Sequence, residues 1–596
     1  MKKLLLGNEA VALGAFEAGV TVATAYPGTP STEITEALAK FKEIYCEWSP
    51  NEKVALEVAL GSAIAGARSI CSMKHVGLNV AADPLFTSSY TGINAGLVIV
   101  VADDPDMHSS QNEQDSRHYA RAAKLPMLEP SDSQECRDYV VRAFEISEEF
   151  DCPVIIRLVT RIAHSRSIVE YGDRAEVELK PYTKNPGKYV MMPAMARLRH
   201  VVVEKRMQLL TDYSMQSALN KVETGTNGTG FITSGISYQY VKEAVSGTNA
   251  EHSSFLKLGM VYPISKKLMK DFAASVNELF IVEELDPFIE DYARQFGIPV
   301  KGKELLPITG ELSSSIIKKQ LLNRSSESIN ISDPSTPLAD NYISDLPVRP
   351  PVLCPGCPHR GAFYVLNKLK LTVSGDIGCY TLGAMPPLQA MDSCICMGAS
   401  ISMAHGIEKA RGRESSRKTV SVIGDSTFIH SGITGLIDIV YNKGCSTVII
   451  LDNGITGMTG HQHHPASGFN IRGEPAGKVD FEKLAAAIGV KRIKVADPLK
   501  IKEFEKIVRE EIEADEASVI IARSPCVLLK GYKRSKPVKI VNQDCKKCKL
   551  CLKFGCPALA DEGGQIRNDD SLCTGCGLCM QVCKNGSIKM AGIENE

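Results

Sequence analysis

Eight of the chain's nineteen cysteines crowd into one short stretch near its end. It reads Cys545-x2-Cys548-x2-Cys551-x4-Cys556, then Cys573-x2-Cys576-x2-Cys579-x3-Cys583. Two triplets at this spacing, each trailed by a fourth cysteine, form the two-[4Fe-4S] pattern, in which the fourth cysteine of each run serves the other cluster. Cys545, Cys548, Cys551 and Cys583 therefore make one ligand set, and Cys573, Cys576, Cys579 and Cys556 the second. The first run carries one extra residue before Cys556, and Lys584 stands where a proline is usual, so the first cluster's surroundings should be atypical. Zinc is the alternative, and interleaved triplets argue against it. A second stretch offers different chemistry. The apolar run Thr419–Ile423 ends in Gly424-Asp425-Ser426, a helix-length segment follows, and the apolar run Ser446–Leu451 ends in Asp452-Asn453. Such a strand–loop–helix–strand unit puts polar groups at the carboxyl ends of strands, where ligands of open α/β sheets sit. Gly424 lets the backbone approach a phosphate at a helix N-terminus. Asp425 and Asn453 supply hard oxygens for Mg2+, which prefers carboxylate and phosphate ligands.

The Gly424-Asp425-Ser426…Asp452-Asn453 unit resembles the thiamine diphosphate motif, with serine for its second glycine and aspartate for its first asparagine. The resemblance implies that Asp425, Asn453 and the Ile455 carbonyl hold Mg2+ against the diphosphate. An ordinary crossover with an acidic loop is the bland alternative. Tyr26-Pro27-Gly28-Thr29-Pro30-Ser31 is by itself a βα turn. Beside the thiamine motif it resembles the substrate loop of the 2-oxoacid:ferredoxin oxidoreductases, which makes Thr29 the substrate-facing residue. Thiamine needs a carboxyl group at its aminopyrimidine to move the proton that activates the thiazolium carbon, and burial keeps such a group partly protonated. The resemblance assigns that role to Glu52, with Glu57 as the alternative; as a bland feature, Glu52 is a first-turn glutamate favoured by the helix dipole. Cys354-Pro355-Gly356-Cys357 could be half a zinc site or a redox pair. The family has such a loop at its thiamine pocket, and Gly378-Cys379 and Met397-Gly398 resemble loops flanking the cofactor. His75, Asp103, Asp104 and His108 are weaker pocket candidates. His461, His463 and His464 could bind a metal, with a family loop preferred.

The polar segments Met73–Pro84 (MKHVGLNVAADP) and Val101–Arg117 (VADDPDMHSSQNEQDSR) resemble the large subunit of the indolepyruvate:ferredoxin oxidoreductases more than the pyruvate enzymes. The resemblance implies coenzyme A-dependent oxidative decarboxylation of aryl pyruvates to arylacetyl-CoA and CO2, with electrons leaving through the clusters to ferredoxin. It also implies a smaller second (beta) subunit. Pyruvate or branched-chain specificity is the close rival. A non-oxidative thiamine decarboxylase is further off, because it needs no clusters.

The elements that must carry these groups follow from length and patterning. A chain of 596 residues has room for three to five domains. Net charge is −1, so no basic field points to nucleic acid. No run is long enough to cross a membrane. The three leucines at the start are too few for an export signal, and cysteine-rich large chains without one suggest cluster binding rather than disulfides. A cytoplasmic, anaerobic enzyme is expected. Strands alternating with helices predict doubly wound parallel sheets. The expected order is a pyrimidine-binding domain (1–185), a connecting helix and linker (186–228, helical over Ala196–Val222), a transketolase C-terminal-like domain (229–328) and a linker (329–349). A diphosphate-binding domain (350–535) and a two-cluster ferredoxin-like domain (536–596) complete it. Glu283 and Glu284 end a strand and receive no chemistry.

Overall fold

The chain was described from a computed structural model covering residues 1–322 and 350–591. It divides into two compact units at residues 335/336. The expected linker 329–349 lies outside the described residues. Among the described residues, no helix is long and apolar enough to cross a membrane.

In the first unit, runs of β-branched and apolar residues form a seven-stranded sheet. Its spatial order is Met260–Tyr262, Met127–Leu128, Val154–Val159, Leu97–Asp103, Ser69–Lys74, Val22–Ala25, Tyr45–Trp48. All neighbours are parallel except the Met260–Tyr262 edge. Leu97–Asp103, Ser69–Lys74 and Val154–Val159 are buried along their full length, as strands covered on both faces must be. A smaller sheet runs Glu278–Val282, Thr229–Ser234, Ser254–Leu258, Lys221–Glu223.

The connecting helix is Pro193–Gln216, which corrects the expected Ala196–Val222. Proline is suited to a first helical turn, so Pro193 sets the start. At the other end the Asn220 side chain donates to the Ser214 carbonyl (2.8 Å) and accepts from Gly259 and Met260 N–H. The chain turns there, and Lys221–Glu223 becomes an edge strand paired with Ser254–Leu258.

In the second unit six parallel strands run Ser393–Cys394, Thr372–Gly375, Thr419–Gly424, Thr447–Asp452, Ser518–Arg523, Arg492–Ala496. Thr419–Gly424 and Thr447–Asp452 are adjacent, with Gly424 level with Leu451. The segment between them is helical from Asp425 to Tyr441, with one π turn at Phe428–Gly432. The cysteine-rich tail folds onto itself through two antiparallel pairs, Val538–Ile540 with Ile588–Met590 and Leu559–Glu562 with Gln565–Asn568. Its core is small, and six of its fifteen residues are cysteines, a composition that suits a fold in which metal–thiolate bonds supply much of the folding energy.

Candidate cofactor and cluster sites

Adjacent parallel strands bring Asp425 and Asn453 to one sheet edge. Asp425 is buried; its Oδ1 accepts from Ser426 N–H (2.8 Å), and its Oδ2 accepts from the N–H groups of Asn453 (3.1 Å) and Gly454 (2.7 Å). Asn453 Oδ1 accepts from Ile455 N–H (3.0 Å), which folds the loop back on itself. Thr456 donates to Ser426 Oγ (3.1 Å). Buried His464 stands 3.3 Å from Asp425 Oδ2, and its Nε2 has no hydrogen-bond partner among the described residues. His359 Nε2 lies 3.4 Å from Asn453 Nδ2, and burial pushes that imidazole down to about 4 despite the Asp425 charge. This is a hard-oxygen donor set at a helix start, with an orphaned polar atom beside it. It fits Mg2+ carrying a diphosphate.

The flanking loops are tied to one group that the sequence reading passed over. Asp376 follows the strand Thr372–Gly375 and is wholly buried. It accepts from Ile377 N–H (2.9 Å), Gly398 N–H (2.9 Å) and Ser400 N–H (3.0 Å). One carboxylate thereby holds the Gly378–Cys379 loop to the Met397–Gly398 loop. Burial raises its pKa, and the three backbone donors oppose that rise. Its signal was available, since an acid ending an apolar strand next to Gly378 is the same pattern as Asp425. Gly398 has φ +89°, and a Cβ on Gly424 would stand 2.7 Å from the Tyr380 ring. Both positions therefore require glycine.

Cys354 and Cys379 lie near Cys526, which no sequence pattern had marked, and Cys357 lies near Cys354 and Cys379. Burial pushes Cys357 up to about 12, and the charges of Cys354 and Cys379 add to it. Cys379 is pushed up to about 11 by burial, then by Cys526 and Cys354. Burial also raises Cys526, whose neighbours include Cys354 and Asp425. Cys526 N–H donates to the Asn453 carbonyl (3.0 Å), so this thiol set adjoins the loops described above. Four soft ligands from three loops can hold a metal or an iron–sulfur cluster. A search for a second Cys-x-x-Cys misses them, because Cys379 and Cys526 enter singly.

The tail cysteines surround two separate cavities. One is lined by Cys545, Cys548, Cys551 and Cys583. The other is lined by Cys556, Cys573, Cys576 and Cys579, with Gly356 and Arg360 in its wall. Burial pushes Cys579 up to about 12, reinforced first by Cys576, Cys556 and Cys573. Burial raises Cys551 too, reinforced by Cys548, Cys545 and Cys583. Metal binding removes these protons, and two sets of four thiols fit two [4Fe-4S] clusters.

In the first unit, Glu52 opens the helix Glu52–Ile64, capped by Asn51 accepting from Val54 N–H (2.9 Å). Glu52 is buried, and its carboxyl lies against Gly77, where a Cβ would stand 2.6 Å from Oε1. Glu57 is exposed and paired with Lys53. Thr29 is half-buried in its turn, its carbonyl accepting from Ser109 Oγ (3.2 Å). Lys74, buried at the end of its strand, packs on Gly28 and donates to the Ser109 carbonyl (3.0 Å). Desolvation brings its pKa down to about 8, opposed by Asp104 and Glu52. The weaker candidates have structural partners. Asp103 pairs with Arg157 (2.7 Å). Asp104 accepts from Ser109 N–H, Ser110 and Thr160, His75 stands 3.2 Å from the Asn112 carbonyl, and His108 pairs with Glu311. His463 packs at a tilt against Phe469 (5.2 Å between ring centroids), and His461 has a left-handed backbone. Glu283 is buried against Arg117.

Three family descriptions match successive parts of the chain: pyruvate flavodoxin/ferredoxin oxidoreductase, thiamine diphosphate-binding (residues 13–229), thiamine pyrophosphate enzyme, C-terminal TPP-binding domain (376–522), and 4Fe-4S dicluster domain (537–584). The chain is 41% identical over 617 residues to the indolepyruvate oxidoreductase subunit IorA of Archaeoglobus fulgidus, covering 99% of this chain and 98% of that one. The IorA proteins of Methanothermobacter thermautotrophicus (40%; 99% and 98% covered) and Pyrococcus horikoshii (39%; 99% and 97%) are similar along the same length.

Proposed function

The chain belongs to the IorA family of the thiamine-dependent 2-oxoacid:ferredoxin oxidoreductases, and from that premise we propose that its substrates are aryl pyruvates, indolepyruvate and phenylpyruvate foremost. It carries out ferredoxin-linked oxidation of a 2-oxo acid with thiamine diphosphate and [4Fe-4S] clusters. The proposed products are arylacetyl-CoA and CO2, and the proposed partner is a smaller beta subunit in a cytoplasmic heteromer. The names of the full-length relatives support the aromatic substrate.

When bound, thiamine diphosphate would supply an electron sink for the pair left behind when a 2-oxo acid loses CO2. The chain's own residues hold and charge it. Asp425, Asn453 and the Ile455 carbonyl are proposed as Mg2+ ligands. Gly424 and Ser426 lie where a diphosphate meets a helix start. Glu52 is proposed to hold and move a proton at the aminopyrimidine, and its burial supports that choice over exposed Glu57. Thr29 is proposed to face the substrate. Cys545, Cys548, Cys551 and Cys583 are assigned one cluster and Cys573, Cys576, Cys579 and Cys556 the other. Cys354, Cys357, Cys379 and Cys526 are assigned a third, beside the Asn453 loop, in place of a purely structural thiamine-pocket loop. The domain boundaries are proposed as in the sequence reading.

One observation carries the oxidative reading. The cavity of the second tail set is walled by Gly356 and Arg360, residues of the loop and helix next to the Asp425–Asn453 edge, so electrons have a short route out. The test is anaerobic reduction of ferredoxin by the heteromer with coenzyme A. Rapid reduction by indolepyruvate and phenylpyruvate, but not pyruvate, is expected. Equal rates with pyruvate would overturn the aromatic assignment. CO2 release without ferredoxin reduction would overturn the oxidative one.

A further inference from the structure

Arg360 lies in the first turn of the helix His359–Lys368, which follows Cys354-Pro355-Gly356-Cys357, and is 2% exposed. Its guanidinium donates to four main-chain carbonyls: Leu353, Cys354 (3.0 Å), Phe554 (2.7 Å) and Gly555 (2.7 Å). Among the described residues, none of these hydrogen-bond partners is a carboxylate. A buried cation held only by carbonyl dipoles is costly unless a negative charge stands nearby. Burial weighs most against its charge, and the groups that oppose that penalty are Cys556, Cys357, Cys354 and Cys576. Arg360 therefore lies between two thiol sets, and it lines the cavity of one of them.

The surrounding contacts fix that placement. Phe554 packs on Tyr364 at 4.4 Å between ring centroids. Gln581 donates to the Leu499 carbonyl (2.7 Å) and accepts from Ile501 N–H (3.0 Å). A side chain on Gly356 would overlap Thr574. The Cys545-Cys548-Cys551-Cys583 cavity, by contrast, is lined by tail residues alone.

We propose that Arg360 is a positioning residue for electron transfer, the buried counter-charge of the cluster at Cys556, Cys573, Cys576 and Cys579, holding that cluster against the Cys354–Cys357 loop as the tail's point of electron entry. A cluster gains negative charge on reduction, so a fixed cation beside it favours the reduced form, and net charge is one of the levers on cluster potential. The cations lining the other cavity, Lys546 and Lys549, are exposed and belong to the tail itself, so that cluster has no buried cation tying it to the Cys354–Cys357 loop, and it becomes the exit.

This inference rests on the reading that the tail holds two clusters. The test compares anaerobic redox titrations of the intact heteromer, followed by the electron paramagnetic resonance of the reduced clusters, in wild type, Arg360→Gln and Arg360→Lys. In Arg360→Gln one tail cluster should become harder to reduce by tenfold or more in its reduction equilibrium, 59 mV for a one-electron couple, with the other cluster within threefold. Arg360→Lys keeps the charge and should leave both within threefold. Unchanged potentials in Arg360→Gln, equal shifts of both clusters, or a lysine variant shifted as far as the glutamine variant would each overturn the proposal. Should Arg360→Gln lose its iron, the lysine variant decides: wild-type potentials support the charge role and shifted ones overturn it. A wild-type tail without clusters would instead sink the reading on which this inference stands, before any variant is compared.

Discussion

Gly77→Ala tests the role of Glu52 without touching Glu52. The added Cβ would stand 2.6 Å from Glu52 Oε1, 2.7 Å from Cγ and 2.9 Å from Cδ, where ordinary contact begins near 3.4 Å. The carboxyl must therefore retreat by about 0.8 Å, because Gly77 is fixed in the helix His75–Val80. A misplacement of about 1 Å can cost about 100-fold in rate. Overpacking costs about 1–3 kcal/mol, offset in part by alanine's helix preference of about 0.5–1 kcal/mol over glycine. A small thermal shift with a large chemical defect is the expected signature. The assay is deuterium exchange at the thiazolium carbon of bound cofactor, quenched in acid and read by proton NMR. Exchange should slow about 30- to 100-fold in Gly77→Ala, at least as much in Glu52→Gln, and not at all in Glu57→Gln. Wild-type exchange in Glu52→Gln would refute the proton role. Wild-type exchange in Gly77→Ala with a dead Glu52→Gln would refute the argument from position.

Cys526→Ser should lower iron content from about twelve atoms per chain to about eight, since each [4Fe-4S] cluster accounts for four; an unchanged iron count would remove Cys526 from any cluster. Asp376→Ala leaves three buried N–H groups without an acceptor, at about 1–3 kcal/mol each; a loss of several kcal/mol in chemical denaturation is expected, together with weaker thiamine diphosphate binding by calorimetry. Buried His359 is held neutral down to about pH 4, so the unfolded chain takes up a proton that the folded chain refuses. Its stabilising effect is complete above pH 6.5, declines as pH falls, and is gone below pH 4, a swing of about 3 kcal/mol. His359→Gln should flatten the urea-denaturation pH profile between pH 6.5 and 4 relative to wild type.

Much of the fold was legible because its signals are local. Thr419–Ile423 and Ser446–Leu451 were read to within one residue at each end, since buried parallel strands are continuous apolar runs. The connecting helix was overrun at its end because Asn220's contacts with Gly259 and Met260, which stop it, come from forty residues away. The tail cysteines were legible from spacing alone. Cys526 was not, because it acquires its company only when the six-stranded sheet aligns its strand ends; Asp376 carried the same pattern as Asp425 and was passed over. The choice between Glu52 and Glu57 likewise required knowing which face of one helix is covered.

The unequal exposure of the two tail sets bears on how the protein fails in air. Cys548 is exposed, whereas each thiol around the inner cavity is buried or half-buried. Oxidants reach accessible thiolates first, so aerobic damage starts at the outermost cluster. On the proposed electron route, a chain injured there would keep its inner thiols and cofactor loops, but its electrons would have no outlet. The outer cluster would then act as a fuse, whose loss would halt turnover before oxygen reached the machinery behind it.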